Sequence, residues 1–147
     1  MRILSRLLFV TALFGLMGLS AVEAQDASKA TTPAQGTAER KALLDAVRAR
    51  LKIKSQFKVY HLKVNGDWAF FHGGEVVDGG DGELQETDLD VQVLLQRKTV
   101  AGKAAWYVAE IWTLPTDDKL ARAEFVRRVR QRQQAGRVPA DILPDDL

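Results

Sequence analysis

The order of apolar and polar positions divides the chain into parts with different patterns. Two arginines precede an apolar run over residues 7–19, and small side chains follow at Val22 and Ala24. This is the pattern of a secretory signal peptide. The run is shorter than the roughly 20 residues of a membrane-spanning helix. The sequence therefore predicts a signal peptide over residues 1–24 and a mature chain, residues 25–147, that is periplasmic or secreted and does not span the membrane.

The mature chain begins with small and polar residues and changes to a helical pattern at Glu39. Residues 25–38 contain almost nothing to bury and are predicted to be a disordered spacer. From Glu39 onward, apolar residues recur at the spacing of one helix face. Thr37 is placed to cap this helix, and Glu39 lies at its positive end. The apolar positions of the helix are Leu43, Leu44, Val47 and Leu51.

After Ser55 the apolar period falls toward two, which is typical of strands. An Asn65-Gly66-Asp67 turn separates the first two predicted strands, and Ala101-Gly102 joins the last two. The four predicted strands span residues 56–64, 68–77, 89–99 and 104–114, and an acidic, glycine-rich loop over residues 78–88 connects the two hairpins.

A second helix is predicted behind Pro115. Thr116 or Asp117 is placed to cap it, and Gly136 is placed to end it. Its apolar stripe consists of Ala121, Phe125, Val126 and Val129, and the tail is expected to pack back through Ile142 and Leu143. The chain is therefore predicted to be one α+β domain over residues 39–147. Its N-terminal helix covers one face of a four-stranded antiparallel sheet, and a C-terminal helix follows. The pattern leaves open which element covers the other face.

Several stretches of this domain together resemble a group of small exported bacterial proteins of unassigned function. The resemblance extends over residues 39–114 and rests on Arg40–Asp45, His61-Leu62 with Val64, Gly66–Phe70, the Leu94-Leu95 strand and the strand that contains Trp106. It implies a cystatin-like or NTF2-like arrangement of a helix on a curved sheet, a type of fold that hosts unrelated activities. Because such sheets often mediate dimerisation, the resemblance also implies that a dimer can form.

The composition disfavours most kinds of catalysis. The chain has no cysteine, which excludes disulfides, thiol chemistry and thiolate metal sites. Its mature part has two serines, Ser28 in the spacer and Ser55 before the first strand, and neither lies in a nucleophile-elbow motif. We therefore predict a non-enzymatic protein without a cofactor.

The two histidines lie on the first hairpin, where the turn decides their relative position. A two-residue turn at Asn65-Gly66 places His61 and His72 on one face of the sheet, and a three-residue loop places them on opposite faces. A shared metal ion would need a third ligand such as Glu75. The prediction is two ordinary strand histidines and no metal site.

The acidic loop resembles a calcium loop only in part. Over Asp78–Glu83, Gly80 and Gly82 occupy positions where an EF-hand has oxygen ligands. Leu84 stands where a β-roll repeat has aspartate. A solvated acidic connection is the prediction.

The last predicted strand carries a candidate small-ligand site. Strict alternation places Trp106, Glu110 and Trp112 on one face, where two indoles and a carboxylate could hold a sugar or a peptide segment. The competing interpretation is that the C-terminal helix covers both indoles as part of the core. Glu110 is also a candidate general base, although it has no evident partner.

Charge is unevenly distributed along a nearly neutral chain. Loss of the signal peptide removes Arg2, Arg6 and Glu23, which turns 21 basic and 19 acidic residues into 19 and 18 and leaves a net charge of +1. Acidic residues concentrate between positions 78 and 90, and arginines between positions 122 and 137. This asymmetry bears on partners rather than on the fold.

The second helix is the candidate for partner binding. Arg127, Arg128 and Arg130 lie away from its apolar stripe, whereas Arg122 and Arg132 flank it. Arg127, Arg128 and Arg130 are the candidates for docking on an acidic protein or another anionic component of the cell envelope, and a solvated helix is the plainer alternative. Export separates the domain from nucleic acid. The sequence thus predicts a non-enzymatic binding module, with a small-ligand binder or an NTF2-like enzyme as alternatives.

Overall fold

The structure, a computed structural model, describes residues 29–147. The predicted signal peptide and residues 25–28 of the predicted spacer lie outside the described residues. The four strands form one antiparallel sheet in the order β1-β2-β3-β4. The predicted α+β class, with a four-stranded antiparallel sheet and two helices, is confirmed. In chain order the elements are α1 (Ala38–Leu51), β1 (Gln56–Asn65), β2 (Trp68–Asp78), β3 (Leu84–Val100), β4 (Lys103–Leu114), α2 (Ala121–Gln134) and a 3₁₀ helix (Ala140–Ile142).

Helix α1 has a capping interaction at each end. The Thr37 hydroxyl accepts a hydrogen bond from the Arg40 amide at 3.3 Å, which is the predicted N-cap. Lys52 adopts a left-handed conformation with φ 59°, and its amide bonds back to the Arg48 carbonyl. Between these caps the predicted apolar stripe faces the sheet. The core on this face of the sheet consists of Leu43, Val47, Leu62, Val64, Ala69, Phe71, Val91, Val93, Leu95 and Trp106.

Helix α2 and the C-terminal tail together cover the opposite face. The Phe125 ring lies 6.3 Å from the Phe70 ring, measured between centroids, and both side chains are fully buried. His61 Nε2 donates a hydrogen bond to the Ile142 carbonyl at 2.8 Å, which ties the tail to β1. The tail therefore packs back as predicted. The core on this face consists of Trp68, Phe70, Leu94, Trp112, Phe125, Val129, Val138, Ile142 and Leu143.

The first hairpin has a two-residue turn at Gly66-Asp67, one position later than either predicted alternative. Asn65 consequently pairs with Trp68, and His61 pairs directly with His72. The two histidines therefore share a sheet face, the one under α2. A β-bulge at Tyr60 shifts the register between Val59 and His61, so that apolar side chains on either side of it stay on the α1 face.

The C-terminal part of the predicted spacer belongs to the folded domain. Thr31 forms an antiparallel bridge with Val64, in which each amide donates to the other residue's carbonyl at 2.9 and 2.8 Å. The Ala30 amide donates to Asp141 at 2.7 Å, and an Arg40 guanidinium nitrogen donates to the Pro33 carbonyl at 3.0 Å. Residues 29–37 thus differ from the predicted disordered spacer, because their main-chain hydrogen bonds and the burial of Pro33 attach them to the domain.

Two boundaries also differ from prediction. Strand β3 begins at Leu84, since the second half of the predicted acidic loop pairs with β2, for example Glu86 with Val76. Helix α2 begins at Ala121 rather than at Thr116 or Asp117. The hydroxyl of Thr116 accepts from the Asp118 amide, so this side chain stabilises a turn before the helix instead of capping it.

Within residues 29–147, neither helix has the length and apolar character needed to cross a membrane.

The packing of α2 generates a stability prediction. We expect Phe125→Ala to lower the free energy of unfolding by about 3–5 kcal/mol, because it leaves a cavity beneath α2. Leu120→Ala, at a side chain that is 66% exposed, serves as the control and should change stability by less than about 0.5 kcal/mol. Urea denaturation measures the free energy of unfolding of both variants. Similar losses of stability would contradict the burial of Phe125 in the core under α2.

Candidate functional site

Glu110 is the centre of a cluster of charged side chains between β4 and α2. A β-bulge in β4 leaves Ala109 without a partner, since Leu94 pairs with Glu110 and Leu95 pairs with Val108. The bulge directs the Glu110 side chain toward α2, where it is only 11% exposed. A carboxylate at this depth is stable when cations and hydrogen-bond donors compensate its charge.

Two arginines of α2 supply that compensation. Arg128 Nε donates to Glu110 Oε2 at 2.7 Å, while Arg132 donates to Oε1 through Nε at 3.1 Å and through Nη2 at 2.8 Å. The two arginines converge because they are four residues apart, on one side of the helix. Their charge-assisted hydrogen bonds attach α2 to β4.

A cleft of about 390 Å³ opens beside these ion pairs. We call it the arginine cleft, and it is lined by Glu110, Arg128, Gln131, Arg132, Ala135 and Arg137. Gly136 ends α2 in a left-handed conformation with φ 68°, and the Arg137 amide then bonds to the Arg132 carbonyl at 3.0 Å. This turn brings Arg137 to the rim of the cleft.

The arginine cleft carries a surplus of positive charge. Its lining has three guanidiniums and one carboxylate, a net charge of +2. The C-terminal end of α2 opposes this with only about half a negative charge. Within residues 29–147, the Arg137 guanidinium has no hydrogen bond or ion pair, so it is available to a ligand. Guanidiniums bind carboxylate and phosphate oxygens through paired N–H groups, and an oxyanion is therefore the ligand this cleft can hold.

The arrangement does not favour Glu110 as a general base. Both of its oxygens already accept hydrogen bonds from positively charged donors. A general base needs a carboxylate oxygen within hydrogen-bond reach of the substrate proton, and both oxygens of Glu110 are engaged with α2.

The predicted grouping of Trp106, Glu110 and Trp112 on one face was wrong. Because of the bulge at Ala109, Trp106 lies in the core under α1, where Arg97 is 5.1 Å from its ring centroid. Trp112 lies in the core under α2. Only Glu110 and Trp112 share a face. The competing interpretation, in which the C-terminal helix covers both indoles, is correct for Trp112 and wrong for Trp106, which α1 covers.

Trp112 nevertheless has an unusual polar environment. Its ring lies under Arg122, 5.6 Å from the guanidinium carbon to the ring centroid. Its buried Nε1 has no hydrogen-bond partner, and neither has the buried Oε1 of Gln92, the residue paired with it on β3. Two buried polar atoms without a hydrogen-bond partner among the described residues therefore lie next to the core under α2.

The three arginines predicted to bind a partner do not form one surface. Arg127 is exposed, whereas Arg128 is bound to Glu110. Arg130 donates to Gln133 and to the Leu147 carbonyl, both at 2.9 Å, and so holds the C-terminus against α2. Arg132 and Arg137 complete the cleft although neither was predicted to bind a partner. The i,i+4 spacing of Arg128 and Arg132 was the available sequence signal for the first of them.

The histidines make separate contacts on their shared face. His72 Nε2 lies 3.0 and 3.1 Å from the two Asp90 carboxylate oxygens, and Tyr60 packs edge-on against the His72 ring. Glu75, the proposed third metal ligand, instead accepts hydrogen bonds from Ser55 and Thr87. In the described part of the chain, no group of three or more His, Asp or Glu side chains is arranged to hold a metal ion.

Acidic residues between positions 78 and 90 also accept hydrogen bonds, some from within the loop and some from other parts of the domain. In the predicted calcium loop, Asp78 and Asp81 accept hydrogen bonds from the amides of Gly80 and Glu83. Farther along, Glu86 accepts from Lys58 and from the Tyr60 hydroxyl, the latter at 3.0 Å.

The Glu86 carboxylate and its two donors shift one another's ionisation. Hydrogen bonding from Lys58 lowers the pKa of Glu86, and the same bond raises the pKa of Lys58. Hydrogen bonding to Glu86 raises the pKa of the Tyr60 phenol, because the carboxylate stabilises the protonated form.

A comparison of the chain with protein-family models, curated proteins and solved structures finds no match. The resemblance to exported cystatin-like or NTF2-like proteins therefore stays a prediction, and the interpretation of the site rests on its own geometry.

The Glu110 ion pairs predict a measurable contribution to stability. Glu110→Gln removes the charge that compensates Arg128 and Arg132, and we expect it to lower the free energy of unfolding by about 1–3 kcal/mol. Glu124→Gln is the matched control, since Glu124 lies 3.6 Å from Arg128 but is 54% exposed. Thermal and urea unfolding should show a clearly smaller effect for the control. Equal effects would mean that Glu110 does not anchor the helix.

The Tyr60–Glu86 contact predicts a shift in tyrosine titration. In a Tyr107→Phe background, Tyr60 is the remaining tyrosine, so near-ultraviolet absorbance follows its ionisation alone. Glu86→Gln should lower the pKa of Tyr60 toward that of free tyrosine, because the negative charge that opposes phenolate formation is lost. Glu83→Gln, in the neighbouring loop, should leave the titration unchanged. An unaltered titration in Glu86→Gln would contradict the contact.

Proposed function

We propose that the mature chain is an exported, non-enzymatic binding module that holds an oxyanion group of an acidic partner in the arginine cleft. The proposal rests above all on one observation: Glu110 fixes two guanidiniums beside a third, Arg137, that has no ion pair among the described residues. Export is part of the proposal and rests on the signal-peptide pattern of residues 1–24.

Preorganisation supports binding at this cleft rather than along the whole helix. A free arginine on a surface loses side-chain entropy when it binds a ligand, whereas Arg128 and Arg132 are already held by Glu110. Their remaining N–H groups and the Arg137 guanidinium can meet one oxyanion from several sides. The surplus charge also attracts an acidic partner over a distance of about one Debye length.

The chemistry of the cleft limits the class of partner. Carboxylates and phosphates both match the guanidinium geometry, and both occur on acidic proteins and on anionic polymers of the cell envelope. An enzymatic role gains no support from the cleft, because its lining has no serine, threonine, histidine or lysine. The proposed function is therefore recognition of an anionic group without chemical conversion of it.

Isothermal titration with polyglutamate and with inorganic pyrophosphate tests this function at low ionic strength. We expect binding that weakens as salt is added. Arg137→Gln should weaken it by about tenfold, the effect of losing one charge-assisted hydrogen-bonding group.

Arg127→Gln is the matched control, because it makes the same charge change on the exposed side of α2. We expect its affinity to stay within about twofold of the unsubstituted protein. Equal losses in both variants would show that only net charge matters. No loss in Arg137→Gln would remove the cleft as the binding site. A preference between the two probes would identify the oxyanion.

A further inference from the structure

A second surface lies on the other side of the sheet, beside the edge strand β1. The sheet order places β1 at an edge, so one side of its main chain faces away from β2. Among the described residues, the main-chain bonds on that outer side are those between Val64 and Thr31. From Gln56 to Lys63, the outer side of β1 therefore has no strand beside it in the described structure.

The Thr31 bridge shows that this edge accepts an extended chain. Thr31 and Val64 exchange two hydrogen bonds of 2.9 and 2.8 Å, the geometry of an antiparallel strand pair. The pairing stops after one residue, because the following chain leaves the edge to begin α1 at Ala38. The outer edge of β1 is therefore paired at Val64, near its C-terminal end, and the preceding residues of the strand have no neighbouring strand on that side in the described part of the chain.

A groove of about 330 Å³ lies between α1 and the unoccupied part of β1. We call it the edge groove, and its principal lining residues are Arg40, Lys41, Leu44, Arg48, Phe57 and Val59. Leu44, Phe57 and Val59 are partly buried and pack against the core under α1, so they form an apolar floor. Residues 35–37 also line the groove.

The wall of the edge groove is basic. Arg48 is fixed over the Phe57 ring, 5.5 Å from the centroid, and its Nε donates to the Ser55 carbonyl at 2.8 Å. The lining contains three cationic and no anionic side chains. Asp45, just outside it, pairs with Lys41 and Arg48 and offsets one of these charges.

From this combination we propose that the edge groove binds an extended acidic segment of a partner protein, which adds to β1 as a fifth strand. Main-chain hydrogen bonds to the outer side of β1 would supply affinity. Because side chains alternate along a strand, acidic residues would meet Arg40, Lys41 and Arg48, and apolar residues between them would contact the floor. This site is separate from the arginine cleft, which lies on the α2 side of the sheet.

A second copy of this chain is a poorer occupant. Strand β1 carries Lys63, and Lys52 and Lys54 lie just before it. Two such edges brought together would place like charges opposite one another, which is unfavourable in a sheet. The charge of the groove thus favours an acidic strand from a different protein.

Fluorescence anisotropy with a labelled peptide in which glutamate alternates with valine tests the proposal. We expect saturable binding, and loss of binding when alternate peptide amides are N-methylated, because those amides can no longer donate to β1. A peptide in which lysine alternates with valine should not bind. Equal binding of the N-methylated peptide would overturn strand addition.

Amino-acid substitutions distinguish binding in the edge groove from binding in the arginine cleft. Lys41→Gln, at a side chain that is 76% exposed and so dispensable for folding, should weaken binding about threefold. The double variant Arg40→Gln with Lys41→Gln should weaken it about tenfold. Lys103→Gln, at the start of β4, makes the same charge change away from the groove and should leave peptide affinity unchanged. Arg137→Gln should leave peptide affinity unchanged, which makes failure here distinguishable from failure of the proposed function.

Amide chemical shifts locate the bound peptide. Changes confined to β1 and α1 would support the proposal. Changes around α2 that disappear in Arg137→Gln would overturn it and assign the peptide to the arginine cleft. Shifts on β1 that depend on protein concentration without peptide, together with a dimer in sedimentation, would overturn it in favour of self-association.

Discussion

Apolar side chains stand on both faces of the sheet, and the need to cover both faces organises the rest of the molecule. Each large apolar side chain contributes about 1.5–3 kcal/mol when buried, whereas a whole domain is stable by only about 5–15 kcal/mol. Neither face can therefore remain open to water. Helix α1 covers one face, and α2 covers the other with the help of the tail, which buries Ile142 and Leu143.

Covering the second face brings charge into contact with the core. The bulge at Ala109 keeps Val108 under α1 but sends Glu110 toward α2. A buried carboxylate requires compensation, and Arg128 and Arg132 provide it from one side of the helix. The arginine cleft is thus a consequence of how α2 is attached. The same ion pairs that hold the helix leave a positive surplus at its end.

Several charged residues of the acidic and basic stretches are paired within the molecule. In the acidic stretch, Glu86 pairs with Lys58, and Asp90 contacts His72. In the basic stretch, Arg130 holds the C-terminus. Two basic surfaces lie on opposite sides of the sheet: the arginine cleft with Arg137, and the wall of the edge groove. The two proposed binding activities follow from these two surfaces, and both suit acidic partners.

Local pattern alone was sufficient for the elements and their main faces. The period of the apolar residues predicted both helices and all four strands, and it identified Leu43, Val47, Phe125 and Val129 as core positions. These features depend on neighbours within a few residues, so a single sequence contains them. The N-cap at Thr37 and the stop at Gly136 were predictable for the same reason.

The site depended on tertiary structure, because its geometry is set by features without a local signature. A single bulged residue reversed the alternation of β4, which separated Trp106 from Trp112 and turned Glu110 inward. The turn at Gly66-Asp67 settled the histidine register that the sequence left open. Thr31 joined the domain through main-chain hydrogen bonds, which have no side-chain pattern. The sequence by itself thus determined the helices, the strands, the apolar positions of both helices and where charge accumulates along the chain. Only the packing of α2 and the pairing of the strands decided which charges meet, since ion pairs and strand edges bring together residues far apart in the chain.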